Sequence, residues 1–340
     1  MMPSTAMPKR GCLSQVVRVL KGFFVLWVAL VLLGVGYQAL ATASDNGAYS
    51  PGGIVVTVGG RQMHVRCLGE GSPTVILEAG GGAESLWWVR VQQHVSLHTR
   101  VCAYDRAGHG WSEPASGSRD PAAIVSELHS LLQSTQVPAP YIMVGHSFGA
   151  LWARIAAAQL PDQVVGLVLV DSTFLVPDHF ASQSEFDAWK SSNDALKAVE
   201  WALYRVGLVR LTAPADFQRS GYPAVVIPEM VALRSRSQTF DVDYAEQVAA
   251  RRQLTDASNA AKNLGALPTF VLWAGQSPTV QPFFAPMREE MLTYSSNIVS
   301  KIVEGADHGS ILGSEQYSRD VADAVLRVIA AARTGERLTP

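Results

Sequence analysis

Apolar residues in this chain come first as one unbroken block and then as short bursts. From Gly22 to Ser44 no charged residue occurs, and Phe23-Phe24-Val25-Leu26-Trp27-Val28-Ala29-Leu30-Val31-Leu32-Leu33 forms the centre of the block. Its length approaches the roughly 20 residues that span a bilayer. Lys9, Arg10, Arg18 and Lys21 precede it with no acidic residue among them. The segment therefore reads as a signal peptide or an uncleaved transmembrane anchor. Ala39-Leu40-Ala41 and Ala41-Thr42-Ala43 offer small-residue cleavage patterns, whereas the long basic stretch and the long uncharged run favour the anchor. In both cases the positive-inside rule leaves the N-terminus cytoplasmic and exports the rest, either membrane-anchored or secreted after cleavage.

The short bursts predict alternating strands and helices. Residues 54–58 and 62–67 read as a hairpin turning at Gly59-Gly60, and 74–78 as a strand ending in Ala79-Gly80-Gly81-Gly82. Residues 85–94 look helical, 100–104 extended, and 121–133 helical behind a capping Asp120. Further strands are expected over 140–144, 164–170, 268–273 and 298–303, with a last helix over 316–332. The stretch 164–170 is continuously apolar, as in a strand covered on both faces. Repeated alternation of this kind argues for a mostly parallel sheet with helices on both sides. The interval 173–264 breaks the pattern with few strand signals, and reads as a mainly helical insertion over one edge of the sheet. This gives a basic and membrane segment at 1–44, a linker at 45–53, a core at 54–172 and 265–335, and the helical cap at 173–264.

Composition narrows the functional classes. At 340 residues with 48% hydrophobic content, the chain can bury a large core. The formal charge is −2, and the four basic residues of the leader leave −6 on the remainder. An acidic body without a Lys/Arg cluster argues against nucleic acid as a partner. No metal-ligand spacing appears, so neither metal nor cofactor is expected. Cys67 and Cys102 each fall in a strand-like run of the exported body; they are either a disulfide or two small buried apolar residues.

The sharpest chemical signal is Gly145-His146-Ser147-Phe148-Gly149. It fits G-x-S-x-G, with a strand-like run before it and a helix-like run after it. A strand that turns abruptly into a helix holds the central hydroxyl exposed, and glycines remove Cβ atoms that would clash in the turn. The helix N-terminus adds free N–H groups.

Three further stations complete a pattern. They are the Ala79–Gly82 turn, Asp105-Arg106-Ala107-Gly108-His109-Gly110-Trp111-Ser112, and Gly305-Ala306-Asp307-His308-Gly309 after the last strand. In this order they resemble the α/β-hydrolase superfamily over roughly residues 54–333. The resemblance implies an α/β-hydrolase fold, with a mostly parallel eight-stranded sheet, helices on both faces and a helical cap.

The resemblance also implies roles. Ser147 would be the nucleophile and His308 its base, in the order Ser…Asp/Glu…His. The usual acid position, a few residues after the strand 268–273, holds Ala274-Gly275-Gln276-Ser277-Pro278-Thr279 and no carboxylate. Asp171, directly after the strand 164–170, is therefore the expected acid, with Asp178 in reserve. Asp307 is poorly placed to orient the ring. His146 is expected to support the elbow. The N–H groups of Gly81 and Phe148 would form the oxyanion hole. Trp88, Trp189 and Trp201, with Trp87, Phe174 and Phe180, are candidates to line an apolar substrate pocket. The implied chemistry is acyl transfer from a small or medium ester-like substrate to water. Peptidase, amidase or lactonase activity on the same triad, or low-turnover ligand binding on the same fold, are the alternatives.

Overall fold

The computed structural model describes residues 10–115, 117–172 and 183–339. Helix α1 (Arg10–Ala48) leads into a hairpin of β1 (Ile54–Val58) and β2 (Arg61–Leu68). Then come β3 (Thr74–Glu78), a short 3₁₀ turn (Ser85–Trp88), α2 (Val89–Val95) and β4 (Val101–Tyr104). Next are α3 (Pro121–Ser134), β5 (Tyr141–His146), α4 (Gly149–Gln159) and β6 (Val164–Val170). Four helices precede the next strand: α5 (Gln183–Arg205), α6 (Val209–Arg219), α7 (Ile227–Arg234) and α8 (Ser237–Ala260). The chain closes with β7 (Thr269–Ala274), α9 (Ala285–Met291), β8 (Ile298–Val303), α10 (Ser310–Gly313) and α11 (Glu315–Thr334).

The eight strands form one sheet in the order β1-β2-β4-β3-β5-β6-β7-β8. The β1–β2 and β2–β4 pairs are antiparallel and the others parallel. Alternation of side chains across the pleat builds two cores. Ile142, Val144, Val168 and Val170 pack on one face with Val91 of α2 and Val321, Val325 and Val328 of α11. Met143, Leu167 and Leu169 pack on the other with Leu128 of α3 and Trp152 and Ile155 of α4. Asp120 caps α3, its carboxylate accepting from the Ala123 N–H at 2.8 Å. Cys67 and Cys102, register partners on β2 and β4, are joined as a disulfide.

Helix α1 runs through to Ala48, so the first part of the expected 45–53 linker is helical. The last turns of α1 dock on α5, α6 and α7, and this tertiary contact prolongs a helix that Asp45-Asn46-Gly47 alone would end. Its apolar centre, by contrast, is bare on every side: Phe23, Phe24, Leu26, Trp27 and Leu33 are all exposed.

Candidate active site

The parallel strands place Ser147 and Asp171 side by side. His146 and Val170 are register partners at the ends of β5 and β6, so Ser147 and Asp171 each stand one residue past a strand end on the same edge. The Ser147 N–H donates to the Val170 carbonyl at 3.0 Å, and the Asp171 N–H to the Leu272 carbonyl at 2.7 Å. Both residues adopt left-handed backbone, with φ of 54° and 40°. Such geometry costs an L-residue of order 1–3 kcal/mol and concentrates at functional sites. The elbow closes only because its flanks lack side chains. A Cβ on Gly145 would fall 2.4 Å from the Gly149 carbonyl oxygen, and one on Gly149 would fall 2.4 Å from the Ala79 oxygen.

His308, on the loop beyond β8, reaches both groups. Its Nε2 lies 2.9 Å from Ser147 Oγ, and its Nδ1 lies 2.5 Å from Asp171 Oδ2. Asp171 is wholly buried, while the His308 side chain is half exposed. The second Asp171 oxygen accepts from Thr279 Oγ1 at 2.6 Å and from the Ala274 N–H at 3.3 Å. Burial alone would push the Asp171 carboxyl up. Hydrogen bonds from His308 and Thr279, with the imidazole charge, outweigh it and hold the group below the ordinary carboxylate range.

The position after β7 is therefore not idle. Ser277 and Thr279 stand where the commoner pattern has its acid, and Thr279 donates to the carboxylate of Asp171 at the end of β6. Sequence reasoning saw only a missing carboxylate there; the signal was a pair of hydroxyls on the carboxyl edge of the sheet. Asp307 turns away, its Oδ1 accepting from the N–H groups of Gly309 and Ser310 at 2.9 and 2.7 Å. Asp178, Phe174 and Phe180 lie outside the described residues.

His146 holds the main chain of His308. Its buried Nε2–H donates to the His308 carbonyl at 3.0 Å, and the two rings stand 4.6 Å apart. Burial first, then the neighbouring His308 charge, depress its pKa to about 3, so the ring stays neutral.

The glycine loop lies over the elbow. A Cβ on Gly80 would come within 3.2 Å of Ser147 Cβ, and one on Gly81 within 3.8 Å of Phe148 Cβ. Arg106 of the Asp105–Ser112 turn holds this loop from below, donating to the carbonyls of Ala79 at 2.5 Å and Gly80 at 2.9 Å. The same buried guanidinium pairs with Glu78 at 2.6 Å and with Glu246 of α8 at 3.1 Å. One arginine thus ties the loop, the sheet and the helical layer together. Asp105 in turn accepts from the N–H groups of Ser85 and Trp111, and contacts His64 Nδ1 at 2.7 Å.

A cavity of about 240 Å³ lies between Trp87 of the 3₁₀ turn and the helices α5, α6 and α7. Arg234, on one wall, donates to the Gly82 carbonyl at 2.6 Å. Ser220, on another, abuts Gly309, the residue after His308. Trp87, Tyr204 and Phe217 supply aromatic lining. Two residues expected to line a substrate pocket do not line this cavity. Trp88 is fully buried beneath the His146 ring, because its neighbour Trp87 takes the cavity side of the 3₁₀ turn. Trp201 stands on the outer side of α5 against the Arg205 guanidinium, because helical phase turns Glu200 and Tyr204 to the cavity instead. Trp189 lies on α5, but its side chain is outside the described residues. Among the described residues no cluster of three or more His, Cys, Asp or Glu could hold a metal.

An eight-stranded, mostly parallel sheet with a serine at the β5–α4 elbow defines the class of the α/β hydrolases. The sequence profile of the Alpha/beta hydrolase family matches residues 75–324, well over half of the chain, and the chain belongs to that family. Lipase LipV of Mycobacterium tuberculosis (strain ATCC 25618 / H37Rv) is 35% identical over 142 residues, 41% of this chain and 52% of that one. The chain spans less than half the length of the first curated relatives that it matches. An epoxide hydrolase, CorEH, has a similar fold at a TM-score of 0.63 and 18% identity, over 82% of this chain and 98% of that one. A membrane phospholipase A, described as a bacterial virulence factor, has a TM-score of 0.60 at 19% identity, covering 96% of this chain and 100% of that one.

Proposed function

We propose that the chain is a serine hydrolase of carboxylic esters, with Ser147 as nucleophile, His308 as general base and acid, and Asp171 as the group that orients it. The observation that carries this is the unbroken relay from Ser147 Oγ through both ring nitrogens of His308 to Asp171. Nδ1–H donates to Asp171, which leaves Nε2 free to accept the hydroxyl proton. Oγ attacks the acyl carbon, and the carbonyl π pair moves onto oxygen, facing the N–H groups of Gly81 and Phe148. Nε2 returns the proton to the departing alkoxide. Water, deprotonated by the same nitrogen, then adds to the acyl carbon, and the collapse breaks the bond to Ser147 Oγ, which takes the proton back from Nε2 as the acid leaves. A carboxylate nucleophile would be needed for epoxide opening through an alkyl-enzyme ester, and position 147 has a hydroxyl instead. The relative named as a lipase and the neighbour named as a phospholipase favour an ester over an amide.

The protein is membrane-anchored in this reading, with the catalytic body outside the cytoplasm. Gln38, 7% exposed, donates to the Ser235 carbonyl at 2.8 Å and accepts from Arg210 at 2.8 Å. Cleavage at either small-residue pattern would strip Gln38 from a buried arginine. The Cys67–Cys102 disulfide suits an oxidising compartment.

A fluorophosphonate probe should label the wild type and leave Ser147→Ala unlabelled. The same variant should lose at least ~10³-fold of its turnover on a short p-nitrophenyl ester. An unlabelled wild type, or equal turnover in the variant, would refute the nucleophile.

A further inference from the structure

One flank of α5 is apolar where a surface helix is ordinarily polar. Ala195, Leu196, Val199, Ala202 and Leu203 recur at helical spacing along that flank, beside the positions that line the cavity, and all are exposed. Leu196 is 71% and Val199 62% exposed, and Leu211 on α6 reaches 67%. A contiguous apolar patch of this kind marks a contact with something apolar.

The patch is continuous with the membrane helix. Just past the end of α5, Val206 packs on α1, where a Cβ at Gly34 would fall 2.8 Å from Val206 Cβ. One turn further along α1, Gln38, Thr42 and Asp45 take the buried Arg210 of α6, with Asp45 at 2.6 Å. The height of this junction is fixed by the anchor. Lys21 is the last charge before the apolar block, and Gly34 lies only about 20 Å along the helix from it at 1.5 Å per residue. The hydrocarbon core is about 30 Å thick. With Lys21 at the cytoplasmic boundary, Gly34 is still inside the outer leaflet, and tilt would place it deeper.

We infer that the α5–α6 face is seated in the outer leaflet of the same bilayer that α1 spans. This rests on the anchored reading given above. The apolar stripe then meets acyl chains instead of water, and the polar Arg210 cluster sits at the protein side of the junction. Neighbouring positions of α5 and α6 line the cavity through Tyr204, Val209 and Ala213. A substrate carried in the bilayer, an amphiphile with an acyl ester near its polar end, would then enter this cavity between the two helices.

The full-length chain, with Cys12→Ser and the disulfide kept, is reconstituted in phosphatidylcholine–phosphatidylglycerol vesicles. Leu196→Cys, Leu203→Cys and Leu97→Cys variants each carry an NBD label; Leu97, 79% exposed, lies just before β4 at the opposite edge of the sheet. Lipid with a doxyl group high on its acyl chain should quench the labels at 196 and 203, and iodide should quench only the label at 97. Labels at 196 and 203 open to iodide, or shielded from both quenchers as by a second copy of the chain, would overturn the seating. An alkaline carbonate wash separates the two readings. Retention of the chain with iodide-quenched labels sinks the seating alone, whereas release of the chain sinks the anchor and the seating together. A Leu196→Glu/Leu203→Glu variant should keep its turnover of a soluble short ester and lose about tenfold or more on a vesicle-borne one. Equal losses on both substrates would count against delivery from the bilayer.

Discussion

Asp171 illustrates how a single residue's work depends on neighbours far away in sequence. Asp171→Asn should keep the fold and reduce turnover by ~10⁴-fold, because an amide at this position can favour the wrong imidazole tautomer. Thr279→Val should be milder, about tenfold, for one hydrogen bond to a charged group. It also has a pH signature. The Asp171 pKa is depressed in the folded state, so its contribution to stability is present above the unfolded value and lost as pH falls through the folded one. Without Thr279 that loss should begin at higher pH, visible in melting curves taken as the pH falls below about 4. Glu84 works in the opposite sense. Burial, then the nearby Asp105, raise its pKa to about 8, and its Oε1 has no hydrogen-bond partner. The folded state therefore binds a proton that the unfolded chain has released, and stability falls as pH rises from about 4.5 to 8. Glu84→Gln removes that slope, so its melting temperature should gain on the wild type across this range. A gain that did not grow with pH would refute the assignment.

At the scale of elements, the glycine loop is held by a charge cluster rather than by its own sequence. Arg106 is 2% exposed, and Glu246 is fully buried at its side. The Glu246 carboxyl is held far below its ordinary range because burial, which would raise it, is outweighed by the charges of Arg106, His109 and Arg119. Arg106→Met should cost about 3–5 kcal/mol in chemical denaturation, since it leaves two carboxylates buried with less compensation. It should also lower turnover in the molecules that remain folded, through the carbonyls of Ala79 and Gly80. The Asp-Arg-x-Gly-x-Gly-x-Ser pattern was legible in sequence as a family station, but its partner on α8 was not. Nothing in the chain between 113 and 245 indicates that Glu246 returns to this point. Strands and the elbow were legible because their periodicity and turn residues are local. The cavity lining was not, because Trp87 and Trp88 differ only in which side of a single 3₁₀ turn they occupy.

Across the whole molecule, the disulfide and the apolar N-terminal helix are the features that act beyond the catalytic core. Cys67–Cys102 closes a loop with a sequence separation of 35 between an edge hairpin and the central strands. Its reduction should lower stability by about 2–4 kcal/mol, measured as a shift in the denaturant midpoint with and without reductant. An unchanged midpoint would show that β1 and β2 are held by pairing alone. Packing of α1 on the helical layer joins two regions that the sequence presents as separate, an apolar N-terminal helix and the hydrolase body.

The sequence by itself determined the layered α/β class, the elbow at Ser147, the histidine loop and the apolar N-terminal block. Each is written in contiguous residues whose spacing and turn chemistry act over a few ångströms. The tertiary structure decided which hydroxyl braces Asp171, which aromatics face the cavity and how α1 meets the body. Those outcomes depend on strand register and helix phase summed over the whole fold, and no short stretch of chain carries that information.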